Sequence, residues 1–482
     1  MGKNVPSVKK NYIYSLSFQI LSMITPFITA PYIARVLGAD GVGIYSYTQS
    51  YMTYFTMFAS LGTAAYGMRE IAQCRDDQKQ YSKKFWEIEL LTVFTTIICL
   101  IIWLGMLLFT HEYRIYFIAL IPSLFAVMFD ISWFYTGHER IGYTVFWNAL
   151  CKILGIILIF SFVKKREDLF LYILINTTMT LLGNMSMWIF LPKMLTKVNW
   201  KKLQFRNHFK ETLIYFVPTI ATSIYTVLDK TLIGAITHNQ YQNGYYEQAT
   251  KIVNMAKTAV FVSINSVMGA RISYLFVENK IDEIKNRIKN SMDFILLLGI
   301  GAMFGIIGIA KSFVPLFFGK GYDEVIYLLY WMAPLIVIIG VSNCLGSQYY
   351  TPAGLRGKSA KYIISGSCVN LIMNLICIPQ FGATGAIIGS IVAELTITVL
   401  YLINCSGMIT FKTICKMGYK KLIAGVIMAI LVYWVGNSVL SVAGLVLQII
   451  VGGGIYLLIL FVWKDAILKE LALMIKGRVR NG

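Results

Sequence analysis

Eight ionisable side chains stand in otherwise apolar stretches of this 482-residue chain, and any chemistry it performs has to begin with them: Arg35, Asp130, Lys152, Asp229, Lys230, Lys257, Arg271 and Glu394. A charge at the centre of a bilayer costs several kcal/mol, so such a residue normally faces a cavity or a partner. Lys152, in WNALCKILGIILIF, falls about nine residues into its apolar run, which at 1.5 Å per helical residue is ~14 Å deep. It is expected to face a cavity; the competing reading is a structural partner or snorkelling to the surface. Lys257, ~12 Å deep by the same arithmetic, is a second cavity candidate, whereas Lys251 sits at i,i+4 from Glu247 and is explained by that pair alone.

Asp229 and Lys230 are adjacent in YTVLDKTLIG, about 100° apart around a helix, so they are expected to have different partners. Arg35 and Arg271, at opposite ends of their runs, either contact anionic groups or reach for lipid headgroups. Glu394, in GSIVAELTITVL, is a candidate proton carrier, with helix packing as its competing reading. Beside Glu394 and Asp229, Asp130 in FDISWFYTGHER is a third candidate for ion coupling, although its neighbours Trp133 and Tyr135 favour a structural place at the membrane interface. Cations outnumber anions in this set. A cavity lined by Lys and Arg attracts phosphate or carboxylate and repels organic cations.

No enzyme constellation accompanies these charges: HExxH, GxSxG and Walker A motifs are absent, and His111, His138, His208 and His238 lie far apart in sequence near run ends or loops. Neither a cofactor nor a metal is expected. The eight cysteines show no CxxC spacing and read as small core residues.

The elements that must position these residues are membrane-spanning helices. Hydrophobic residues make up 57% of the chain and charged residues only 14%, beyond what a water-exposed surface carries. Apolar runs of roughly 20 residues recur from end to end and are continuous rather than alternating, which selects helices over a β-barrel. Breaks between them divide the chain into about fourteen spans, an all-α polytopic membrane protein.

With both termini cytoplasmic, 32 of the 43 Lys and Arg residues fall on the inner side and seven on the outer. That bias accounts for the formal charge of +20 without a nucleic-acid partner. The two richest inner segments, Met194–Lys210 and Val277–Lys289, have amphipathic helical character suited to anionic lipid.

Pro26, Leu37-Gly38 and Gly43-Ile44-Tyr45 are echoed by Pro218, Ile233-Gly234 and Gly244-Tyr245-Tyr246. Two similar halves follow: a six-helix lobe over residues 1–200, a second over 201–410, and two further helices with a basic tail over 411–482. An even helix number per half makes the repeat parallel, with a binding site expected between the lobes.

PYIARVLGADGVGIYSY, LGTAAYGMREIAQ, the Asp130 and Lys152 segments, LDKTLIGAIT and NLIMNLICIPQFGATGAIIGSIVAEL together resemble the Wzx-type polysaccharide repeat-unit flippases of the multidrug/oligosaccharidyl-lipid/polysaccharide exporter superfamily. The resemblance covers nearly the whole chain and implies a two-lobed bundle of twelve to fourteen helices working by alternating access. It implies movement of an undecaprenyl-diphosphate-linked oligosaccharide from the cytoplasmic to the outer leaflet of a bacterial plasma membrane, for O-antigen, capsule or related polymers. Lys152, Lys257 and the Asp229-Lys230 pair would then line the cavity, with membrane lipids, a polysaccharide polymerase and a chain-length regulator as partners. Three rival readings stand beside it: a lipid II flippase, a cation-coupled multidrug exporter, and a membrane-embedded polymerase or transferase. The last is opposed by the short outer loops.

Overall fold

The computed structural model describes residues 8–438 and 441–469, without the side chains at 8–10, 12, 202, 205, 217–219, 221–226, 262–271, 437 and 438. It forms two compact units, Met1–Gly234 and Ala235–Gly482. The first holds α1 (Val8–Ser60), α2 (Thr63–Cys74), α3 (Gln78–Phe109), α4 (Arg114–Ala119), α5 (Ile121–Met128), α6 (Ser132–Gly137), α7 (Ile141–Phe162), α8 (Leu169–Ser186) and most of α9 (Phe205–Thr237). The second holds α10 (Gln240–Val277), α11 (Ile281–Phe318), α12 (Asp323–Met332), α13 (Pro334–Leu345), α14 (Arg356–Phe381), α15 (Ala383–Ile403), α16 (Phe411–Ser438) and α17 (Val442–Val462). No strand occurs among the described residues, in keeping with the all-α expectation.

Among the described residues, eleven stretches are long and apolar enough to cross a membrane, against the fourteen spans expected of the whole chain. The first of them, Ile13–Cys74, has 62 residues, about three times what one crossing needs, and is broken at Gly38, whose φ of 73° takes it out of the helical region. α9 and α10, with 33 and 38 residues, are long enough to cross but are not among the eleven. Length and apolarity therefore do not establish the figure of fourteen.

Local chemistry sets the boundaries. Asp77 caps α3 by accepting from the backbone N–H groups of Lys79 and Gln80, Asn239 caps α10 through Tyr241, and Ser441 caps α17 through Gly444. Pro122 and Pro334 sit in the first turns of α5 and α13, where a missing N–H leaves no carbonyl stranded.

One expected helix does not form. Met194–Gln204 is irregular apart from single turns, because its backbone is claimed from outside: Ser82 Oγ accepts from Thr196 N at 3.0 Å and Glu87 Oε1 from Gln204 N at 2.7 Å. Lys412–Lys421, despite its four lysines, opens α16.

The first unit packs around two apolar clusters, one centred on Leu37, Trp103 and Leu120, the other on Phe85, Trp133 and Phe134. Phe85 and Trp133 stack at 5.5 Å, and Gly67 admits the indole: a Cβ there would meet the Trp133 ring at 2.5 Å. In the second unit, α15 carries Gly385 and Gly389 in a small-xxx-small pattern. A Cβ at either would collide with α14, at the Cys377 carbonyl and the Asn374 side chain respectively.

Three elements of the second unit meet at a buried ion triad. Lys421 on α16, 1% exposed, donates to Asp293 Oδ1 on α11 at 2.7 Å, to Asp465 Oδ2 just beyond α17 at 3.0 Å, and to the Met417 carbonyl at 3.0 Å. Tyr456 adds a hydrogen bond from α17 to the Leu297 carbonyl of α11 at 2.9 Å. All three ammonium protons are thus matched. Lys421→Met is expected to cost about 3–5 kcal/mol, because it leaves two buried carboxylates uncompensated, while replacing all three residues by apolar ones restores most of the loss. Thermal unfolding of the purified variants in detergent checks both; a neutral Lys421→Met would show that the triad holds nothing together.

Candidate functional site

Within the first unit an apolar bundle encloses a polar interior. The stretch of α1 beyond Gly38 carries Tyr45, Gln49, Thr56 and Ser60 at intervals of four or seven residues, one face of a helix, and Thr63 of α2 extends the stripe. Asn176, Thr180 and Asn184 form a second stripe at i,i+4 spacing on α8. These stripes, with Thr92, Ser123, Asp130, Trp133 and Thr177, line a cavity of about 440 Å3. That size lies in the range of small-molecule sites, roughly 300–1,000 Å3. A neighbouring cavity of about 270 Å3 is lined by Phe18, Thr25, Thr29, Asn148, Lys152 and Tyr172, and the two share Asn176 and Thr180. They form one polar tract with Lys152 at one end and Asp130 toward the other.

The hydrogen bonding of this lining has a direction. Thr56, Ser60, Thr63 and Thr180 donate their hydroxyl protons to helix carbonyls three or four residues back, at 3.1, 3.0, 2.6 and 2.9 Å. Thr177 donates to the Ala119 carbonyl at 3.0 Å, Asn184 to that of Ala126 at 2.8 Å, and Asn176 to that of Tyr172 at 2.9 Å. A hydroxyl has one proton and two lone pairs, so a committed proton leaves an acceptor. Asp130 accepts the Ser132 N–H at 2.9 Å and, as a carboxylate, adds further acceptor capacity. Lys152 is the opposite case. Its Nζ lies 3.1 Å from Ser22 Oγ and 5.7 Å from the centre of the Phe18 ring, and an ammonium offers donors only.

Lys152 and Asp130 are therefore the two sequence candidates brought into one tract. Arg35 is exposed immediately before the Gly38 break, Asp229 is buried within electrostatic reach of Tyr54, and Lys230 is half-buried beside it on α9. In the second unit, Lys257 on α10 lies within electrostatic reach of the buried Glu394 on α15, a pairing that their separation of 137 positions concealed. Lys251 pairs with Glu247 at 3.4 Å, the i,i+4 contact expected. The Arg271 side chain lies outside the described residues. No group of three or more His, Cys, Asp or Glu able to hold a metal occurs among the described residues.

Two features escaped the sequence reading. Glu89, one turn before Thr92 on α3, is 1% exposed with no hydrogen-bond partner for either carboxylate oxygen among the described residues, and it stands within electrostatic reach of Asp130. His208 bridges Tyr66 and Glu87 through its two ring nitrogens, at 2.7 and 3.1 Å, and so docks the start of α9 onto α2 and α3. FWEIELL does carry the signal for Glu89, since its two acids are only two positions apart and a helix cannot turn both to one side.

The fold is shared with membrane transport proteins of known structure. It superposes with a TM-score of 0.73, over 95% of this chain and 99% of the other, on a lipid II flippase, MurJ, in an inward closed conformation, at 15% sequence identity. A family model described as polysaccharide biosynthesis protein matches residues 8–273, and the chain belongs to that family. Among its relatives is an Escherichia coli (strain K12) protein named as an O-antigen transporter, 26% identical over 408 residues, 83% of this chain and 97% of that one. A Haloferax volcanii protein named as a flippase of low-salt glycan biosynthesis is 26% identical over 280 residues, 57% of each chain. The family agrees with the resemblance drawn from the sequence motifs.

Lys152→Met is expected to weaken binding of an isoprenyl diphosphate by about 1.5–3 kcal/mol, the range for a hydrogen bond to a charged group. Calorimetry on the protein in lipid nanodiscs measures it, and unchanged affinity would remove Lys152 from the site.

Proposed function

We propose that this protein is a flippase that carries undecaprenyl-diphosphate-linked oligosaccharide repeat units from the cytoplasmic to the outer leaflet of a bacterial plasma membrane, both of its termini being cytoplasmic. The observation that carries the reading is the polar tract itself. A sugar headgroup with two phosphates cannot cross hydrocarbon unaided, because each polar group stripped of water without a partner costs roughly 2–7 kcal/mol. A hydroxyl- and amide-lined interior beside an ammonium replaces both kinds of hydration. Lys152 then takes the diphosphate as a point charge, and the adjoining cavity takes sugar. Lys257, Lys230, Arg35 and Arg271 remain proposed contacts for the anionic substrate, and Asp229, Glu394 and Asp130 for a coupling ion. The relatives named as transporter and flippase support the substrate class, with a polymerase and a chain-length regulator as the expected downstream partners.

In the second unit, α11, α16 and α17 frame an apolar cavity of about 450 Å3 whose floor is opened by Gly301, Gly305, Gly452 and Gly453. At Gly305 and Gly453 an added Cβ would meet nothing within 4 Å.

A lipid II flippase is the second reading, favoured by the likeness of fold to MurJ, and it shares the carrier lipid. Deleting the gene in its own host is expected to leave lipid-linked repeat units on the cytoplasmic side, restored by wild type and not by Lys152→Ala. Unimpaired outward display, in a host without a second flippase, would overturn the proposal. Rescue of a strain depleted of its lipid II flippase would decide for the second reading instead. Gly305→Ala is expected to move stability by less than ~1 kcal/mol, since the added methyl enters open space rather than a packed core. A loss of more than ~2 kcal/mol on thermal unfolding in detergent would show that the space at Gly305 is closed by packing.

A further inference from the structure

We infer that His208 is a positioning residue: it clamps a backbone hinge at Leu61 and Gly62 that sets the wall of the larger polar cavity, and this clamp has to open for transport. The inference goes beyond the flippase reading and rests on it only for the link to transport. α1 and α2 are joined by two residues in the left-handed region, Leu61 at φ 43° and Gly62 at φ 75°. Glycine takes that conformation freely, whereas a leucine there is strained and keeps it only where its surroundings enforce it. The break falls inside the cavity wall, since Thr56 and Ser60 line it from α1 and Thr63 and Ala64 from α2. A change of angle between the two helices therefore changes the cavity.

The start of α9 enforces the angle. Its backbone presses on the hinge, so that a Cβ at Gly62 would meet the Phe216 nitrogen at 3.0 Å and the Thr212 carbonyl oxygen at 3.1 Å. One turn on, the Tyr66 hydroxyl lies 2.7 Å from His208 Nδ1, and a turn beyond that Arg69 donates to the Tyr215 hydroxyl at 2.7 Å. Positions 62, 66 and 69 share one face of the chain at α2, and 208, 212 and 215 share one face of α9. α3 closes the clamp: Glu87 Oε1 accepts from the Gln204 N–H at 2.7 Å, and Glu87 Oε2 lies 3.1 Å from His208 Nε2. With its proton on Nε2, His208 donates to Glu87 and accepts from Tyr66, so one neutral side chain joins three helices. A single hydrogen bond contributes little net stability, so fastenings of this kind release and re-form, as an interlocked apolar seam does not. The apolar patch beneath them is small, with Met57, Leu61 and Phe216 at its centre.

The test uses the full-length protein, in nanodiscs for amide hydrogen exchange and in proteoliposomes for flipping of undecaprenyl-diphosphate-linked N-acetylglucosamine. In His208→Ala, exchange of the α2 amides is expected to rise at least ~10-fold, the effect of two lost hydrogen bonds, and flipping to fall by a similar factor. His208→Gln, whose amide both donates and accepts, is expected to bring both back within ~3-fold of wild type. A folded His208→Ala with unchanged exchange, or a His208→Gln no better than His208→Ala, overturns the clamp. Opening is tested with Tyr66→His, which sets a second imidazole against His208 Nδ1 so that Zn2+ bridges the two. Zn2+ then favours the clamped state alone, and is expected to slow this variant at least ~10-fold, reversibly with a chelator, and wild type less than ~2-fold. Undiminished flipping with Zn2+ bound overturns the claim that the clamp must open, and a Tyr66→His protein that takes up no Zn2+ overturns the contact itself. Absence of flipping by wild type overturns the flippase reading, and the exchange comparison still decides whether His208 holds the hinge.

Discussion

Everything in the first unit depends on how a helix can show polar atoms to a cavity while its backbone remains satisfied in a medium without water. An unpaired group in hydrocarbon costs several kcal/mol, so a hydroxyl in a membrane helix has to find a partner close by. The nearest is the carbonyl one turn earlier, and Thr56, Ser60, Thr63 and Thr180 all use it. The bond fixes the side chain and leaves its lone pairs free. Satisfaction within the helix and an acceptor surface facing the cavity are therefore one arrangement, repeated along α1 and α8.

The second unit meets the same constraint in another way. It buries charge rather than hydroxyls, and the charges are matched proton for proton around Lys421, fastening α16 and the end of α17 to α11. Between these fixed points an apolar hollow remains beside Gly305 and Gly453, while Gly308, Gly425 and Gly452 bring the same helices into close contact. Gly385 and Gly389 likewise bring α15 onto α14, at the Cys377 carbonyl and the Asn374 side chain. Small residues thus do opposite things in two places, and the difference lies in whether a neighbouring helix approaches or stops short.

Much of the architecture could be read from hydropathy alone, because continuous apolar runs have one solution in lipid. Lys152 lines a cavity, a setting suggested by an isolated ammonium within an apolar run. Lys421 carried no such signal. It lies beside three other lysines in a stretch resembling a basic inner loop, and its partners Asp293 and Asp465 are 128 and 44 positions away. The larger cavity was missed for a related reason: scattered Ser, Thr and Asn inside apolar runs look like tolerated substitutions until two helices turn them toward each other. A cavity lined chiefly by cations was anticipated from counting charges, whereas the structure places a single lysine at one cavity and hydroxyls, amides and an aspartate at the next.

The committed hydroxyls on α1 and α8 have one more consequence. Because Thr56 and Thr180 donate to carbonyls of their own helices, exchanging either for Ser, Ala or Val alters the inner wall and strands no backbone group on any other element. The framework and the lettering on its inner face are therefore separable, and a lineage can rewrite the second without rebuilding the first. A membrane protein of this design can change what its inner face offers one residue at a time.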